Sequence, residues 1–486
     1  MTSAADASSV LVWFRRDLRL ADNPAVHAAA QTGRPVVAVF VLEDHPPSRA
    51  PGAASLWWLD RSLAALGEDL AALGSRLILR RGDPLAILPA LARETGAELV
   101  CWNRSFEPLV EQRDEELSDL LHHHDVKVGV GNGLLLQAPW TVRSGSDTPY
   151  KVFTPYWRMA QNQLAAAPLR PAPKTLRAPK HWPDSDRLAD WELHPRDPDW
   201  STGFVDWTPG EAGAAAQLQR FVAQALETYA EARDRPARDG VSRLSPHLAW
   251  GEVGPRQVLA AVRKAAQTHP SLAEAADKFL AEIGWREFNY HLLDQQPGLA
   301  TRNFRRDLDG LDWRRDAKRL AAWKRGETGY PLVDAGMRQL WATGWMHNRV
   351  RMVTASFLVK HLLIDWREGE RWFWDCLVDA DPANNPGNWQ WSAGVGADAQ
   401  PFFRIFNPMT QGEKFDPDGA YVRRWLPVLD QLETRYLHAP WTAPPEALRA
   451  AGVRLGETYP RPIVDHAEAR ARALDALKAA KTEAAE

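Results

Sequence analysis

The segment Val36–Leu42, VVAVFVL, is an uninterrupted apolar run that is rich in β-branched residues. Such a run is typical of a strand that is buried on both faces, as the strands of parallel sheets are. The run Val10–Phe14 (VLVWF) precedes it, and the shorter segments Arg76–Leu79 and Glu98–Trp102 follow it. Helical patterns separate these runs: Ala53–Leu73, a helix starting at Asp83-Pro84, and a charged helix around Val110–His124. The alternation predicts a doubly wound parallel sheet covered by helices.

The glycine-rich fingerprint of dinucleotide sites, GxGxxG, does not follow the first predicted strand. The segment GVGNG, at 129–133, has a different spacing and comes too late in the chain. A nicotinamide site is therefore not expected in this domain.

A high density of proline marks the boundary between two predicted domains. Such a density prevents a regular helix or strand and is typical of a long connection. Seven prolines fall within 165–200, namely Pro168, Pro171, Pro173, Pro179, Pro183, Pro195 and Pro198. After about residue 210 the apolar pattern is helical almost to the end of the chain. We therefore expect an α/β domain over 1–135, a linker over 136–209 and an all-α domain over 210–486.

The composition excludes several classes of protein. The 486 residues are 45% hydrophobic and 25% charged, which excludes a disordered or fibrous chain. The net charge of −3 does not attract nucleic acid over the whole surface, so such a site would need a local basic groove. Cys101 and Cys376 cannot form a disulfide framework, which favours a reducing compartment. The start of the chain lacks a signal-peptide pattern, and no apolar run is long enough to cross a bilayer.

Two polar segments of the second domain are expected to meet. A helical pattern that starts near Trp345 is apolar nearly all round, so Asn348 and Arg351 are expected to be buried and to need partners. The segment 379–391, DADPANNPGNWQW, offers Asp379 as the partner of Arg351. From these residues alone, a purely structural ion pair is the favoured interpretation. The paired acids have no neighbouring histidine or cysteine, so a metal site is not expected.

Three further segments fit a functional or a structural role. Glu282, Trp285 and Asn289 share one helical face, where a carboxylate beside an indole fits a general acid, a hydrogen-bond acceptor or, more commonly, a surface ion pair. The segment SRLSP, at 242–246, fits an anion site or a plain helix cap. Residues 301–325 carry nine Lys or Arg and four Asp. Their net charge of +5 fits phosphate contacts or a solvated surface.

Tryptophan is unusually frequent in this chain. There are 23 Trp residues against 15 Phe and 8 Tyr, and ten of the 23 fall between Trp285 and Trp391. Core packing is the default explanation for each Trp taken singly. A generic core, however, would use side chains without an N–H group to satisfy.

Taken together, these segments resemble the photolyase/cryptochrome family over nearly the whole chain. The resemblance rests on VLVWFRRDLRLADNPAV (10–26), YKVFTPYWR (150–158), SRLSP (242–246), WREF (285–288), KRGETGYPLVDAGMRQLWATGWMHNRVRM (324–352), DWREGERWFW (365–374), DADPANNPGNWQW (379–391) and FRIFNPMTQGEKFDPDGAYVRRW (403–425). The chain is most similar to cyclobutane pyrimidine dimer (CPD) photolyases of class I and class III. The resemblance implies a Rossmann-like N-terminal domain, a long linker and a helical domain that holds FAD. It also implies light-driven repair, in which excited reduced FAD passes an electron to a flipped-out dimer in DNA.

The resemblance implies individual roles at the flavin. Arg351 would pair with Asp379 over the isoalloxazine ring, Asp381 would accept from its polar edge, and Asn385 would face N5. The residues expected to bind FAD are Tyr229, Ser242, Arg243, Leu244, Ser245, Arg286, Asn348, Arg351, Asp379, Asp381 and Asn385. Those expected to take part in repair are Glu282, Asn348, Met352 and Asn385.

The resemblance also implies DNA contacts and a path for electrons. Glu282 would hydrogen-bond the thymine edge of the dimer, and Trp285 and Trp391 would pack against the splayed bases. The expected DNA and lesion contacts are Arg233, Glu282, Trp285, Arg349, Met352, Trp391, Arg404 and Lys414. The residues Trp389, Trp366 and Trp313 match the electron-transfer chain of the family from the flavin to the surface.

An antenna chromophore is also expected, with methenyltetrahydrofolate favoured over deazaflavin. Leu109 and Val110 stand where folate-binding class I members carry Asn and Glu, so the folate site of those members is not expected. The expected partner is DNA containing pyrimidine dimers, and the expected state is a monomer in the bacterial cytoplasm with the nucleoid.

Three alternative functions remain open from the sequence. A (6-4) photolyase uses a histidine pair that Asn348 and Met352 do not match. A cryptochrome photoreceptor of the plant type carries an acid where this chain has Asn385. A light-independent flavin oxidoreductase would need a nicotinamide site.

Overall fold

The computed structural model of the chain describes residues 8–164, 168–194, 199–399 and 401–483. Its N-terminal part is a parallel sheet of five strands in the order β3-β2-β1-β4-β5, which confirms the predicted doubly wound sheet. The strands are β1 (Ser9–Phe14), β2 (Val36–Leu42), β3 (Leu77–Arg81), β4 (Ala97–Asn103) and β5 (Lys127–Gly131). The helices between them are α1 (Pro24–Gln31), α2 (Ala53–Ala72), α3 (Pro84–Thr95) and α4 (Pro108–His123).

The apolar runs of the sheet follow from burial on both of its faces. Along β1, Val10 and Val12 belong to one hydrophobic cluster, whereas Leu11 and Trp13 belong to the cluster on the opposite face. Alternate residues of a strand point to opposite faces, so both clusters must be apolar. The Asp83 side chain accepts a hydrogen bond from the Leu85 N–H, which caps α3 where the sequence predicts its start.

The remaining helices form the C-terminal part of the molecule. Their bounds are α5 (Phe153–Gln163), α6 (Glu211–Arg220), α7 (Tyr229–Ala232), α8 (Ser245–Ala249), α9 (Pro255–Thr268), α10 (Ala273–Gln295), α11 (Ala317–Arg325), α12 (Pro331–Thr343), α13 (Asn348–Ser356), α14 (Trp366–Cys376), α15 (Asn384–Ala393), α16 (Pro408–Phe415), α17 (Ala420–Trp425), α18 (Thr434–Leu437), α19 (Pro445–Ala450) and α20 (His466–Glu483). A short π-helical turn, Phe357–His361, follows α13. No helix within the described residues is long and apolar enough to span a bilayer.

The predicted linker range 136–209 contains both a packed helix and an extended segment. Helix α5 is buried through Phe153, Tyr156 and Trp157, which pack in the core of the helical part beside α10. The later segment returns to the sheet, where the Val36 N–H donates to the Arg177 carbonyl over 2.8 Å and the Asp186 N–H donates to the Leu79 carbonyl over 2.9 Å. Pro195 and Pro198 lie outside the described residues.

Buried polar contacts fix the helical part against the sheet. The Glu252 carboxylate accepts from the Trp58 indole N–H of α2 over 2.9 Å and from the Gly210 N–H over 2.7 Å. The Arg19 guanidinium donates to the Gly251 carbonyl over 2.8 Å. Gly251 has φ +66°, and a Cβ there would lie 2.1 Å from the Arg16 carbonyl oxygen, so only glycine allows this close approach.

Candidate functional site

A cavity of about 470 Å³ lies in the helical part between α10, α13 and α15. Most of the predicted site residues line it: Tyr229, Arg233, Ser242, Arg243, Ser245, Glu282, Trp285, Arg286, Asn348, Arg349, Arg351, Met352, Asp379, Asp381, Asn385, Trp389 and Trp391. The predicted residues that do not line it are Leu244, Trp366, Trp313, Arg404 and Lys414. Residues from segments up to about 160 positions apart therefore meet in one site.

An ion pair between Arg351 and Asp379 forms one wall of the cavity. The Arg351 Nη2 donates to Asp379 Oδ2 over 2.8 Å, and its Nε donates to the Met346 carbonyl over 2.7 Å. The Asp379 side chain is only 3% exposed. Its Oδ1 is buried and has no hydrogen-bond partner within the described residues. A buried acceptor without a donor fits a ligand that brings an N–H or O–H group, such as the ribityl chain or the ring edge of a flavin.

Asp381 holds the loop that precedes α15. Its Oδ1 accepts from the Ala383 N–H over 3.0 Å and from the Asn384 N–H over 2.7 Å, and its Oδ2 accepts from the Tyr290 hydroxyl over 2.9 Å. Both oxygens of Asp381 therefore already have partners from the protein. Asp379, not Asp381, carries the free acceptor.

The segment 242–246 combines a cation, hydroxyl groups and an unusual backbone. Arg243 has φ +51°, a conformation that a residue other than glycine rarely adopts and that is frequent at functional sites. Its guanidinium lies over the Trp345 ring at 5.4 Å, and the Trp345 indole N–H donates to the Ser245 hydroxyl over 3.3 Å. A fixed cation beside hydroxyl groups suits the pyrophosphate of a dinucleotide. The Leu244 side chain, in contrast, is buried in the hydrophobic core and does not line the cavity.

Arg286 lines the cavity but is occupied by the protein. Its Nη1 donates to the Leu134 carbonyl and to the Glu287 carboxylate, each over 3.0 Å. Burial raises the pKa of Glu287 to about 7, and the Arg286 charge opposes this by stabilising the carboxylate.

Two of the cations expected to contact DNA are paired with acids of the protein. The Arg233 Nη1 donates to Glu282 Oε1 over 2.6 Å, and the Arg349 Nη2 donates to Asp234 Oδ1 over 2.8 Å. The Glu282 side chain is 33% exposed and still lines the cavity. Sequence patterns did not reveal these pairs because the partners lie 49 and 115 residues apart.

The apolar side of the cavity is formed by aromatic residues and methionine. Trp285 stacks on Phe153 of α5 with ring centroids 3.9 Å apart and an interplanar angle of 10°. Trp391 and Met352 are half-buried and line the same cavity. These faces can receive flat apolar groups from outside.

The expectation that Asn348 is buried is wrong. Helix α13 begins at Asn348, three residues later than predicted, because the His347 ring caps it by accepting from the Arg349 N–H over 3.2 Å. Asn348 therefore lies on the first turn, where it is exposed at the cavity wall. Arg351, one turn further, is half-buried and paired with Asp379, as described above.

The three tryptophans of the expected electron path differ in burial. Trp389 is 3% exposed and lies on α15 one turn after Asn385, so both residues line the cavity. Trp366 is fully buried at the start of α14, and its indole N–H donates to the Asn303 side chain over 2.9 Å. Trp313 is half-buried at the edge of the core. A Cβ at Gly369 would lie 2.2 Å from the Trp389 ring, so this glycine allows the ring to pack.

The two remaining cations lie outside the cavity lining. Arg404 and Lys414 are both exposed, the first in the loop before α16 and the second on α16. The Arg404 carbonyl accepts from the ammonium group of Lys360 over 3.1 Å. Burial lowers the pKa of Lys360 to about 7. In the basic segment 301–325, several cations pair with nearby acids, including Arg305 with Asp307, which fits a solvated surface.

A second cavity, which sequence patterns did not indicate, lies between the sheet and the helical part. It is placed at the carboxyl ends of β1, β2 and β4, where strand order reverses in a doubly wound sheet and ligands commonly bind. Its lining includes Val110 and two tryptophans of the helical part, Trp250 and Trp374. The guanidinium groups of Arg16 and Arg49 lie over these two rings at 5.1 and 4.4 Å. Among the described residues, no cluster of His, Cys, Asp and Glu could hold a metal ion.

Comparison with known proteins identifies similar chains. Residues 10–176 match the family described as DNA photolyase, and residues 279–479 match the FAD binding domain of DNA photolyase. The deoxyribodipyrimidine photo-lyase of Agrobacterium fabrum is 52% identical over 475 residues, which are 97% of this chain and 98% of that protein. Cryptochrome-1 of Arabidopsis thaliana is 39% identical over 96% of this chain and 70% of its own length. The crystal structure of a bacterial class III photolyase from Agrobacterium tumefaciens has a TM-score of 0.96 and 51% identity, and covers 99% of each chain.

Proposed function

The chain belongs to the photolyase/cryptochrome family, and we propose that it is a deoxyribodipyrimidine photo-lyase that uses light to split cyclobutane pyrimidine dimers in DNA. The observation that carries this proposal is the single cavity in which two groups of residues meet. One group, with Arg243, Arg351 and Asp379, suits a flavin dinucleotide, and the other, with Glu282 and Trp285, suits a flat uncharged ligand entering from outside. When bound, FAD supplies the absorption of light and the transferred electron.

The residues of the proposed lesion pocket each have a physical task. Trp285, fixed by its stack on Phe153, and Trp391 offer aromatic faces to the bases of a dimer once it leaves the helix. Met352 adds a soft apolar contact. Glu282 accepts hydrogen bonds from the edge of a thymine, and its pairing with Arg233 orients the carboxylate before the substrate arrives. Arg233, Arg349, Arg404 and Lys414 bind phosphates around the flipped dimer.

We propose that Trp389, Trp366 and Trp313 carry electrons between the surface and the flavin. Trp389 lines the cavity, Trp366 is fully buried in the same hydrophobic core, and Trp313 is half-buried at the edge of that core. Of the three, only Trp313 is partly exposed, which supports a path that ends at the solvent through this residue. Apart from these three and from Trp285 and Trp391 of the lesion pocket, we assign no role to tryptophan in repair or electron transfer.

We place an antenna chromophore in the cavity between the sheet and the helical part. The cavity is lined by Trp250, Trp374 and charged groups of both signs, which supports a planar polar chromophore, and methenyltetrahydrofolate is favoured over deazaflavin. Val110 lines this cavity where folate-binding class I members carry an acid, so the chromophore would be held by contacts other than theirs. The absorbance spectrum of the purified protein, after the contribution of FAD is subtracted, tests this assignment, because the two chromophores absorb at different wavelengths.

A light-dependent repair assay tests the proposed function. The purified protein, loaded with FAD and reduced, is mixed with oligothymidylate containing CPDs and either illuminated or kept in the dark. We expect the dimers to disappear only in the light. No light-dependent loss would refute the proposal, and repair of (6-4) photoproducts alone would assign the protein to the other class of photolyase. We expect the active species to be a monomer, acting on the DNA of the bacterial nucleoid.

A cryptochrome photoreceptor is the second candidate, favoured by the similarity to Cryptochrome-1 of Arabidopsis thaliana. Asn385, where plant cryptochromes have an acid, argues for the repair enzyme. The same assay separates the two functions, since a photoreceptor would reduce its flavin in light without removing dimers.

A further inference from the structure

Glu370 of α14 is a buried carboxylate beside the cofactor cavity that no step above uses. Its side chain is only 2% exposed. Burial raises the pKa of Glu370, while Arg49 and the Asn385 amide oppose this by stabilising the ionised form. A buried carboxylate is tolerated when charged or polar partners surround it, so the identity of those partners is informative.

The first partner comes from the sheet domain. The Arg49 Nη1 donates to both oxygens of Glu370, over 2.8 and 2.9 Å. The Arg49 guanidinium also lies over the Trp374 ring at 4.4 Å, and the Trp374 indole N–H donates to the Ala50 carbonyl over 2.9 Å. A Cβ at Gly52 would lie 2.3 Å from the Trp374 carbonyl oxygen, so this loop packs directly on α14. Arg49 is therefore held in place by several contacts.

The second partner is Asn385 of the cofactor cavity. Its Nδ2 donates to Glu370 Oε1 over 2.8 Å and to the Glu370 carbonyl over 3.1 Å. Both partners are acceptors, so only the NH₂ end of the amide can face them. The opposite end, Oδ1, has no partner within the described part of the chain, and Asn385 lines the cavity. The amide is thereby fixed with an acceptor, not a donor, available to the cofactor.

We propose that Glu370, held by Arg49, is a positioning residue that presents Asn385 Oδ1 to the flavin N5 and so favours the reduced cofactor. Oxidised flavin has an acceptor at N5, whereas reduced flavin carries an N5–H that can donate to Oδ1. The carboxylate also draws on the amide N–H bonds and makes Oδ1 a stronger acceptor, since hydrogen bonds in a chain polarise one another. The proposal rests on the proposed placement of the isoalloxazine ring beside Asn385.

The test compares redox equilibria of the flavin without DNA or light. FAD-loaded wild type and Glu370→Gln are equilibrated in the dark with a reductant and a reference dye, and the ratio of oxidised to reduced flavin is read from absorbance. We expect this ratio to rise about tenfold in Glu370→Gln at a fixed dye potential, which is about 30 mV for a two-electron couple. The matched control is Glu368→Gln, an acid on the same helix that pairs with Arg371 at the surface. It should leave the ratio unchanged.

A double variant separates positioning from a general structural effect. If Glu370 acts through Asn385, then Glu370→Gln should change the ratio little in an Asn385→Ala background. An equal effect in both backgrounds, or an unchanged ratio in the single variant, would overturn the proposal. If Glu370→Gln fails to fold, Arg49→Gln replaces it, because the Arg49 side chain is 31% exposed and its replacement disturbs the core less. Arg49→Lys keeps the positive charge and should keep most of the wild-type ratio.

The outcomes distinguish this inference from the proposed function. A protein that binds no FAD would contradict the function and the inference together. A protein that repairs dimers, but whose flavin potential ignores Glu370, would contradict the inference alone.

Discussion

Replacing Arg351 with methionine tests how far one ion pair supports the cofactor cavity. The Asp379 side chain is 3% exposed and its Oδ1 has no partner among the described residues, so in Arg351→Met neither of its oxygens would have one. Removing one partner of a fully buried pair costs about 3–5 kcal/mol. Arg351 is 25% exposed, so water already screens part of the interaction. We therefore expect the free energy of unfolding to fall by about 2 kcal/mol.

The measurement is urea unfolding of the FAD-free protein, followed by tryptophan fluorescence. The double variant Arg351→Met/Asp379→Asn leaves no unpaired buried charge and should regain most of the loss. Arg325→Met is the control, since Arg325 and Glu327 form a surface pair with side chains 60% and 43% exposed. Its loss should be below about 1 kcal/mol. A stable single variant, or a double variant as unstable as the single one, would refute the reasoning.

Three further variants test the repair site. Glu282→Ala should lower the number of dimers repaired per absorbed photon while FAD stays bound. The control is Glu274→Ala, which changes an exposed acid on the same helix and should leave this yield unchanged. If Glu282→Ala and the wild type had equal repair yields, Glu282 would have no part in the mechanism. Trp389→Phe should stop photoreduction of the oxidised flavin but leave repair by the chemically reduced enzyme intact. The control is Trp140→Phe, which changes an exposed tryptophan and should affect neither activity. If Trp389→Phe lost both activities, Trp389 would have a role other than electron transfer. DNA affinity should fall as salt rises, and Arg404→Ala should reduce the slope of log affinity against log salt by about 1. An unchanged slope would show that Arg404 contacts no phosphate.

A strand of the sheet could be predicted from the sequence where every one of its residues is buried and therefore apolar. Val36–Leu42 is apolar throughout because both of its faces lie in hydrophobic clusters, and the predicted bounds are those of β2. Strand β5, KVGVG, was not predicted. It lies at the edge of the sheet, pairs only with β4 among the described strands, and contains two glycines, which have low strand propensity.

The residues of the site could be predicted only where a family motif or a local helical spacing includes them. Local spacing placed Glu282, Trp285 and Asn289 on one face of α10, and all three line the cavity. Spacing cannot reveal contacts between distant segments. Arg49 and Glu370 are 321 residues apart, and although Glu370 lies within the DWREGERWFW motif at 365–374, nothing in the spacing indicates its contacts with Arg49 and Asn385. The burial of Asn348 was misjudged because periodicity describes a helix face but not the position of the first turn, which the His347 cap decides.

The cavity offers both polar groups and flat apolar faces because its helices present different residues on successive turns. On α10, Glu282 and Trp285 are separated by three positions, so an acceptor and an aromatic face lie side by side. On α15, Asn385 and Trp389 are one turn apart, which places an amide and an indole ring on the same wall. A ring of tryptophan supplies apolar surface, a flat face and an N–H donor at once. Four of the 23 tryptophans, Trp285, Trp345, Trp389 and Trp391, line this cavity, so the site accounts for only a small part of the tryptophan surplus. The charges beside these rings are held by pairing with one another, Arg351 with Asp379 and Arg233 with Glu282, and Arg49 pairs with Glu370 next to the cavity.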